Sequence, residues 1–389
     1  MTVSVGIDKI GFYTPNDYLD MVDLATARGE DPNKYLIGIG QSKQAVIPPT
    51  QDVVTMAANA ADQILTTATK KEIAMVLFGT ESGVDNSKAT AVYLAHLLGL
   101  PSSTRAIELK QACYGATAGL QLAADFLRVH PTAKVLVIGA DIARYGLRTP
   151  GEVTQGGGAI AMLVTANPQV LALEPTSSYH TEDVMDFWRP TYRTEALVDG
   201  RYSTTVYLDF FKTVWTDYQR QTQRTIADFN AFVFHLPFTK MGRKGLRQIL
   251  PEASPAQQAQ LKEAFEASQL DNRHVGNLYT GSLYLSLLSL LRHGRMQAGD
   301  RLGLFSYGSG AEGEFFSGIL QPHYQQGFDS DKLDQLLAQR RRVSVVEYEA
   351  IYQAQLSNDG RDVQLPVGEG QAKYYLAGRQ HQQRQYRSR

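Results

Sequence analysis

Apolar positions along the chain follow two patterns: continuous runs of strand length, and runs recurring every three to four residues. Val3 to Phe12 predicts a first strand, ending at Tyr13-Thr-Pro15. Tyr18 to Arg28 predicts a helix closed by Gly29, and residues 36 to 49 are Gly-rich and then extended. Thr50, Gln51 and Asp52 can cap a helix carrying Val53, Met56, Ala57, Ala60 and Ile64 on one face. Ile73 to Phe78 and Lys134 to Gly139 are unbroken apolar runs, as expected for strands buried on both faces. Helices are expected over about Ser87 to Leu98 and after Cys113, where Leu120, Ala123, Ala124 and Leu127 share a face. Gly156 to Val164 predicts a further strand.

The second half repeats this order. Ala231 to His235 predicts a strand, Thr280 to Leu291 a buried helix and Arg301 to Tyr307 a strand that leads into Gly308-Ser-Gly310. Cys113 precedes Asp141 by 28 residues and Asn277 precedes Ser306 by 29. The pattern predicts an α/β chain built from two duplicated halves, 1–168 and 169–389. Residues 170 to 228, rich in aromatics and helical from about Thr205 to Phe229, have no visible counterpart and are expected to be an insert in the second half. Residues 328 to 356 predict a helix, the basic run Arg340-Arg341-Arg342 at its end, and a strand. Asn358-Asp-Gly360 is a turn signal, and the Gln- and Arg-rich tail from Gly378 predicts a solvated end.

Composition narrows the class of protein. With 43% hydrophobic and 20% charged residues, the chain has the make-up of a globular protein. A net charge of −1 argues against a nucleic-acid or anionic-membrane binder. No run reaches the roughly 18 apolar residues of a membrane span, and the N-terminus reads as a strand, not a signal peptide. A single cysteine rules out an intrachain disulfide and fits the cytoplasm. The eight histidines are scattered and the thiol is single, so no metal site is expected.

That one cysteine sits in Gln111-Ala-Cys113-Tyr-Gly-Ala-Thr117, among small residues at the predicted start of a helix. Taken alone, it reads as a small buried hydrophobe. At a helix N-terminus its thiol pKa is expected to fall, which would make it a nucleophile. If the halves are duplicated, Glu81 and His235 are paired just past strand ends, and Cys113 and Asn277 are paired at helix starts. Sites in α/β sheets form at such strand ends. The amides of Cys113 and of Gly308-Ser309 could form an oxyanion hole, and Glu81 could move a proton. Each has a plainer reading: Glu81 as a cap or ion-pair partner, His235 as a core histidine, Asn277 as a turn residue. Lys240, Arg243 and Lys244 suit a phosphate-bearing substrate and equally suit a solvated face. Gly156-Gly157-Gly158 lacks phosphate-loop spacing and is expected to allow close packing beside the site.

These stretches, together with Gly79-Thr-Glu-Ser82, Gly139-Ala-Asp141, Asp186-Phe-Trp-Arg-Pro190, His235-Leu-Pro-Phe238 and Gly276-Asn-Leu-Tyr-Thr280, resemble the bacterial form of 3-hydroxy-3-methylglutaryl-CoA synthase nearly end to end. The resemblance implies a five-layered αβαβα thiolase fold and a homodimer. It implies condensation of acetyl-CoA with acetoacetyl-CoA and water, on the mevalonate route. It also implies roles: Cys113 as acetyl carrier, Glu81 as general base and then acid, and His235 with Asn277 on the acetoacetyl ketone. Cys113 and Ser309 amides would hold the oxyanion, Lys240 and Lys244 the CoA phosphates. Tyr145, Asp141 and Asp186 match positions near the site. Relatives commonly carry Gly-Ala-Gly where this chain has Gly156-Gly157-Gly158, and the tail matches poorly.

The nearest rival is a type III ketoacyl synthase, which also uses Cys, His and Asn. Glu81 separates the two, because decarboxylative condensation needs no base there. A thiolase would use a second cysteine. A catalytically silent thiolase-fold scaffold is the reading outside enzymes, and covalent acetylation of Cys113 separates it from the others.

Overall fold

The computed structural model describes residues 3–357, 359–366 and 372–389. Its centre is a nine-stranded sheet of β1 (Val5–Tyr13), β2 (Ile73–Gly79), β3 (Arg105–Leu109), β4 (Lys134–Ala143), β5 (Gly156–Ala166), β6 (Leu171–Thr181), β7 (Ala231–Phe234), β8 (Arg301–Gly308) and β9 (Glu312–Leu320). The spatial order is β7-β8-β9-β6-β1-β5-β4-β2-β3. In one half β2 runs parallel to β4, β4 antiparallel to β5, and β5 antiparallel to β1. In the other, β7 runs parallel to β8, β8 antiparallel to β9, and β9 antiparallel to β6. The two halves of the sheet therefore share one order and one set of directions. They meet edge to edge through only two residue pairs, Gly6 with Ala172 and Ile7 with Leu171.

Both faces of the sheet are covered, which is why β2, β4, β5 and β7 read as nearly unbroken apolar runs. Along β7 the side chains alternate: Ala231 and Val233 join the large core, Phe232 and Phe234 a second, aromatic one. The Gly115–Val129 and Ser282–His293 helices lie between the two sheet halves. Thr117 on the first bonds both Tyr284 of the second and Ser306 of β8. The Val53–Ala61 helix covers the other side of β1, β4 and β5, and the Gly200–Thr222 helix covers β6 and β9. Helix, sheet, helix, sheet, helix is the layer order of the thiolase-like fold. The close stacking has a local cause at Gly79: a Cβ there would lie 2.4 Å from the Ala116 amide nitrogen.

Several sequence expectations change. Residues 170 to 228 are not wholly an insert without counterpart. Leu171–Thr181 is β6, which stands to β9 as β1 stands to β5, so the added segment begins after Thr181. The signal was missed because β6 is almost wholly polar beyond Leu173 and contains Pro175. The helix expected from Tyr18 starts at Met21. Asp17–Asp20 is a strand between Lys43–Val46 and Arg341–Val343. Arg341 and Arg342 are on that strand, paired with Asp17 and Asp23, while Arg340 turns in and donates to the Leu337 carbonyl. The tail is not a solvated end. Tyr374–Gln380 and Gln383–Ser388 form a hairpin, and Arg384 and Tyr386 bond the carboxylate of the helix cap Asp52. Asn358 of the expected turn lies outside the described residues.

Candidate active site

Equivalent elements of the two halves carry the predicted residues at equivalent points. Glu81 stands two residues past the end of β2, and His235 one residue past the end of β7. Cys113 precedes the Gly115–Val129 helix, and Asn277 precedes the Ser282–His293 helix. Both helix entries turn through a left-handed residue, Ala112 at φ 41° and Tyr279 at φ 45°. Such a conformation costs about 1–2 kcal/mol for a residue with a Cβ. At Ala112 it swings the next residue, Cys113, towards the carboxylate of Glu81.

The Cys113 thiol lies 3.5 Å from Glu81 Oε1 and donates to it. Burial, then the charge of Asp141, raises the Glu81 pKa to about 8, with Arg189 opposing. A carboxyl of that kind is suited to taking and returning a proton near neutrality. The Cys113 thiol departs from expectation. Burial, followed by the carboxylates of Glu81 and Asp141, pushes its pKa well up, not down. The helix proper begins two residues later at Gly115, so its dipole is outweighed by two acidic neighbours.

Asp141, fully buried in β4, is a structural hub. Its Oδ1 accepts from Thr80 Oγ1 and from the Glu81 amide, each at 2.9 Å, and its Oδ2 accepts from the Thr280 amide at 3.1 Å. One carboxylate thus joins the strand end bearing Glu81 to the segment following Asn277. Asn277 is itself fixed. Its Oδ1 accepts from the Tyr279 amide at 2.8 Å and Ser282 Oγ at 2.9 Å, which leaves Nδ2 to donate to Tyr145 OH at 3.4 Å. Tyr145 and Phe187 pack edge-on against each other and against Tyr279, and all three form an apolar wall with Cys113. Burial, with Cys113 and Glu81 nearby, keeps the Tyr145 phenol protonated by raising its pKa.

His235 is buried, and burial lowers its pKa to about 3, so the ring is neutral. Its amide donates to the Phe305 carbonyl at 2.9 Å and its carbonyl accepts from Tyr207 OH at 2.8 Å. Its Nδ1 is buried without a hydrogen-bond partner. A buried ring nitrogen left unpaired costs free energy unless something comes to it. Asp186 accepts from Tyr307 OH at 2.8 Å, Ser203 Oγ at 3.0 Å and the Gly310 amide at 3.0 Å, and so pins the Gly308–Gly310 turn. That turn adjoins the cysteine loop: a Cβ at Gly308 would lie 2.5 Å from the Gln111 carbonyl oxygen. Ser309 follows directly, and its carbonyl accepts from Gln111 Nε2 at 3.4 Å. Gly156 packs against the Asn277 amide, where a Cβ would stand 2.8 Å away.

Lys240 and Lys244 follow His235 in the chain, at the start of and within the Met241–Ile249 helix. The Lys240 amide donates to the Ile39 carbonyl at 3.1 Å, and the Lys244 ammonium sits 5.5 Å from the Phe238 ring. Arg243 between them is tied to Glu266, whereas the two lysines are in no ion pair among the described residues. Ile39 borders a polar cleft of about 470 Å³ that is also lined by Arg28, Lys34, Tyr35 and Arg148. Among the described residues no group of three His, Cys, Asp or Glu side chains could hold a metal ion, and no helix is long and apolar enough to cross a membrane.

Sequence reasoning gave no role to Arg189, although it lies within the Asp186–Pro190 motif. Its Nη2 donates to the main-chain carbonyl of Glu81. Thr80 and Thr280, the hydroxyls on Asp141, were also missed, since each reads as an ordinary β-branched residue.

Comparison with known proteins agrees with this geometry. The model of the hydroxymethylglutaryl-coenzyme A synthase N-terminal region matches residues 1–169, and that of the C-terminal region matches 171–269 and 253–363. The chain is 47% identical to hydroxymethylglutaryl-CoA synthase of Enterococcus faecalis over 99% of its own length and 100% of that protein. It is 32% identical to a polyketide-biosynthesis 3-hydroxy-3-methylglutaryl-ACP synthase of Bacillus subtilis over 90% of its length and 88% of the relative. A crystal structure of an HMG-CoA synthase complexed with CoA superposes with a TM-score of 0.96 at 44% identity, covering 99% of this chain and 100% of that one. A second structure, in complex with 3-hydroxy-3-methylglutaryl coenzyme A, gives 0.88 at 37% identity with full coverage of both.

Proposed function

This chain belongs to the hydroxymethylglutaryl-CoA synthase family, and from that premise we propose how its residues divide the reaction. The reaction joins acetyl-CoA, acetoacetyl-CoA and water to give 3-hydroxy-3-methylglutaryl-CoA and free CoA, the step that feeds the mevalonate route. The observation that carries the division of labour is the 3.5 Å contact between a thiol and a carboxyl of raised pKa.

Cys113 sulfur attacks the acetyl-CoA carbonyl. The S–C bond to CoA breaks, and CoA leaves as the thiol with the proton that Cys113 gave up. The Cys113 and Ser309 amides hold the oxyanion of this step. Glu81 carboxylate then removes a methyl proton from acetyl-Cys113. The resulting carbanion attacks the ketone carbon of acetoacetyl-CoA, and Glu81 returns its proton to the ketone oxygen as the new hydroxyl. Water finally hydrolyses the Cys113 thioester. Asp141 and Asp186 shape the site through the contacts described above, and Tyr145 walls it.

Neutral His235, with Nδ1 unpaired, and Asn277 Nδ2 polarise the acetoacetyl ketone. Lys240 and Lys244 hold the CoA phosphates, beside the cleft at Ile39. Steady-state kinetics separates these roles. His235→Ala should raise KM for acetoacetyl-CoA by about 10- to 100-fold, the worth of a lost buried hydrogen bond, and leave acetyl transfer intact. Lys240→Ala should raise KM for both thioesters. An unchanged acetoacetyl-CoA dependence in the histidine variant would refute its role.

The assembly we propose is a homodimer of cytoplasmic location, acting without metal or redox cofactor. Its support is the open edge of β3, with Ile107, Val92 and Leu122 exposed beside it, since an unpaired edge strand with apolar neighbours is a template for a second copy. Sedimentation should give a dimer for the native chain and a shift towards monomer for Ile107→Arg. A monomeric native chain would contradict this assembly.

A further inference from the structure

Glu81 is held at its two main-chain ends by groups of opposite charge. Its amide donates to the Asp141 carboxylate at 2.9 Å. Its carbonyl accepts from the Arg189 guanidinium. Arg189 is itself placed by its surroundings. It follows the Phe187–Trp188 strand, which pairs with Leu197–Val198. Phe187 is packed on Tyr145 and Tyr279, and Asp186 is anchored to Tyr307 and Gly310. Arg189 is in no ion pair among the described residues, so its charge is not neutralised by a neighbouring carboxylate salt bridge. The only cation among the main influences on the Glu81 carboxyl is Arg189, and it lowers the pKa that burial and Asp141 raise.

We propose that Arg189 is a positioning residue for the condensation step: its grip on the Glu81 carbonyl fixes where the Glu81 carboxylate stands, and its charge keeps that carboxylate available as a base. The inference rests on the reading of Glu81 as the base. The other titratable groups facing Glu81 are Asp141 from β4, Cys113 from the cysteine loop, Tyr145 after β4 and Tyr279 before the Ser282–His293 helix. Arg144 stands behind, within electrostatic reach of Arg189. None of these supplies a cation to Glu81 directly, so without Arg189 burial and Asp141 would be opposed only by the hydrogen bond from Cys113.

The sign follows from which form of Glu81 works. Removing the cation raises the carboxyl pKa, so a larger share is protonated at a given pH and condensation slows on the acid side. An opposite charge within about 4–6 Å lowers a carboxyl pKa by about 1–3 units, and Arg189, which touches the Glu81 main-chain carbonyl and is half-buried, is expected to act at the low end. The test compares Arg189→Gln and Arg189→Lys with the native enzyme, following Cys113 acetylation by mass and condensation by loss of acetoacetyl-CoA absorbance from pH 6 to 9.5. Arg189→Gln should acetylate within about threefold of native. Its condensation kcat should fall about 10-fold at pH 7, with the acid limb moved up by about one unit and activity recovering towards pH 9.5. Arg189→Lys should keep the native limb. An equal loss at every pH, or acetylation falling in parallel with condensation, would overturn the proposal and leave Arg189 a structural tie. Glu81→Gln, run alongside, keeps the two readings apart: condensation surviving in that variant removes Glu81 as the base whatever Arg189 does.

Discussion

Cys113→Ser should form no acetyl-enzyme and show condensation at least ~10⁴-fold below native, the scale of losing a covalent nucleophile. The serine hydroxyl occupies nearly the same volume, so the fold is expected to stand. The chemistry fails because an alkoxide is far harder to generate than a thiolate, and this site makes anions harder still. Burial, Glu81 and Asp141 already push the cysteine thiol up. Circular dichroism of native shape together with absence of the +42 Da acetyl adduct, about the mass of a ketene unit, checks the claim. Retained condensation in this variant would mean that acetyl-CoA reacts without covalent capture.

Glu81→Gln should separate the two halves of the reaction. Acetylation of Cys113 should proceed within about tenfold of native, because glutamine still fills the space 3.5 Å from the sulfur. Condensation should drop by about 10³- to 10⁴-fold, near the upper range for a general acid–base group used twice in one turnover. In the native enzyme the condensation rate should rise with pH through about 8, the value to which burial and Asp141 raise Glu81, and flatten above it. The sign is that of a base: the carboxylate works and the carboxylic acid does not. If acetylation fell as far as condensation, Glu81 would be serving the thiol and not the methyl proton. The ketoacyl synthase reading would then regain ground, since it needs no carboxylate at that point.

How much of this was legible in the sequence depended on which physical rule governed each segment. Strands buried on both faces announce themselves as apolar runs, so Ile73–Gly79 and Arg301–Gly308 were readable almost to the residue, while Lys134–Ala143 runs four residues past the expected end at Gly139. The Asp52 cap and the buried Ser282–His293 helix were equally plain. Leu171–Thr181 was not, because half of it carries polar residues and its place in the sheet is set by β1 and β9, far away in sequence. The terminal hairpin was hidden for the same reason. Its polar residues gain their order from Asp52 and Tyr93, not from a local pattern.

The site divides in the same way. Places along the elements were legible: Glu81 and His235 lie just past strand ends, and Cys113 and Asn277 just before helices. Electrostatics was not. The helix-start rule predicted a lowered thiol pKa, and two carboxylates brought in from separate strands reversed it. Arg189 sat in a quoted motif without a role until the fold placed it on the Glu81 carbonyl. Charge environment is a property of three-dimensional neighbours, and spacing along one strand does not reveal it.

The central claim is that Cys113 carries the acetyl group while Glu81 makes it nucleophilic. The most direct measurement is intact-mass and peptide analysis of the Glu81→Gln enzyme, first with acetyl-CoA alone and then after adding acetoacetyl-CoA. The account predicts one acetyl group per chain, on the peptide containing Cys113, and its persistence after the second substrate is added, while the native enzyme discharges it as 3-hydroxy-3-methylglutaryl-CoA. An acetyl group that never forms, forms elsewhere, or is consumed at the native rate in the variant would contradict it.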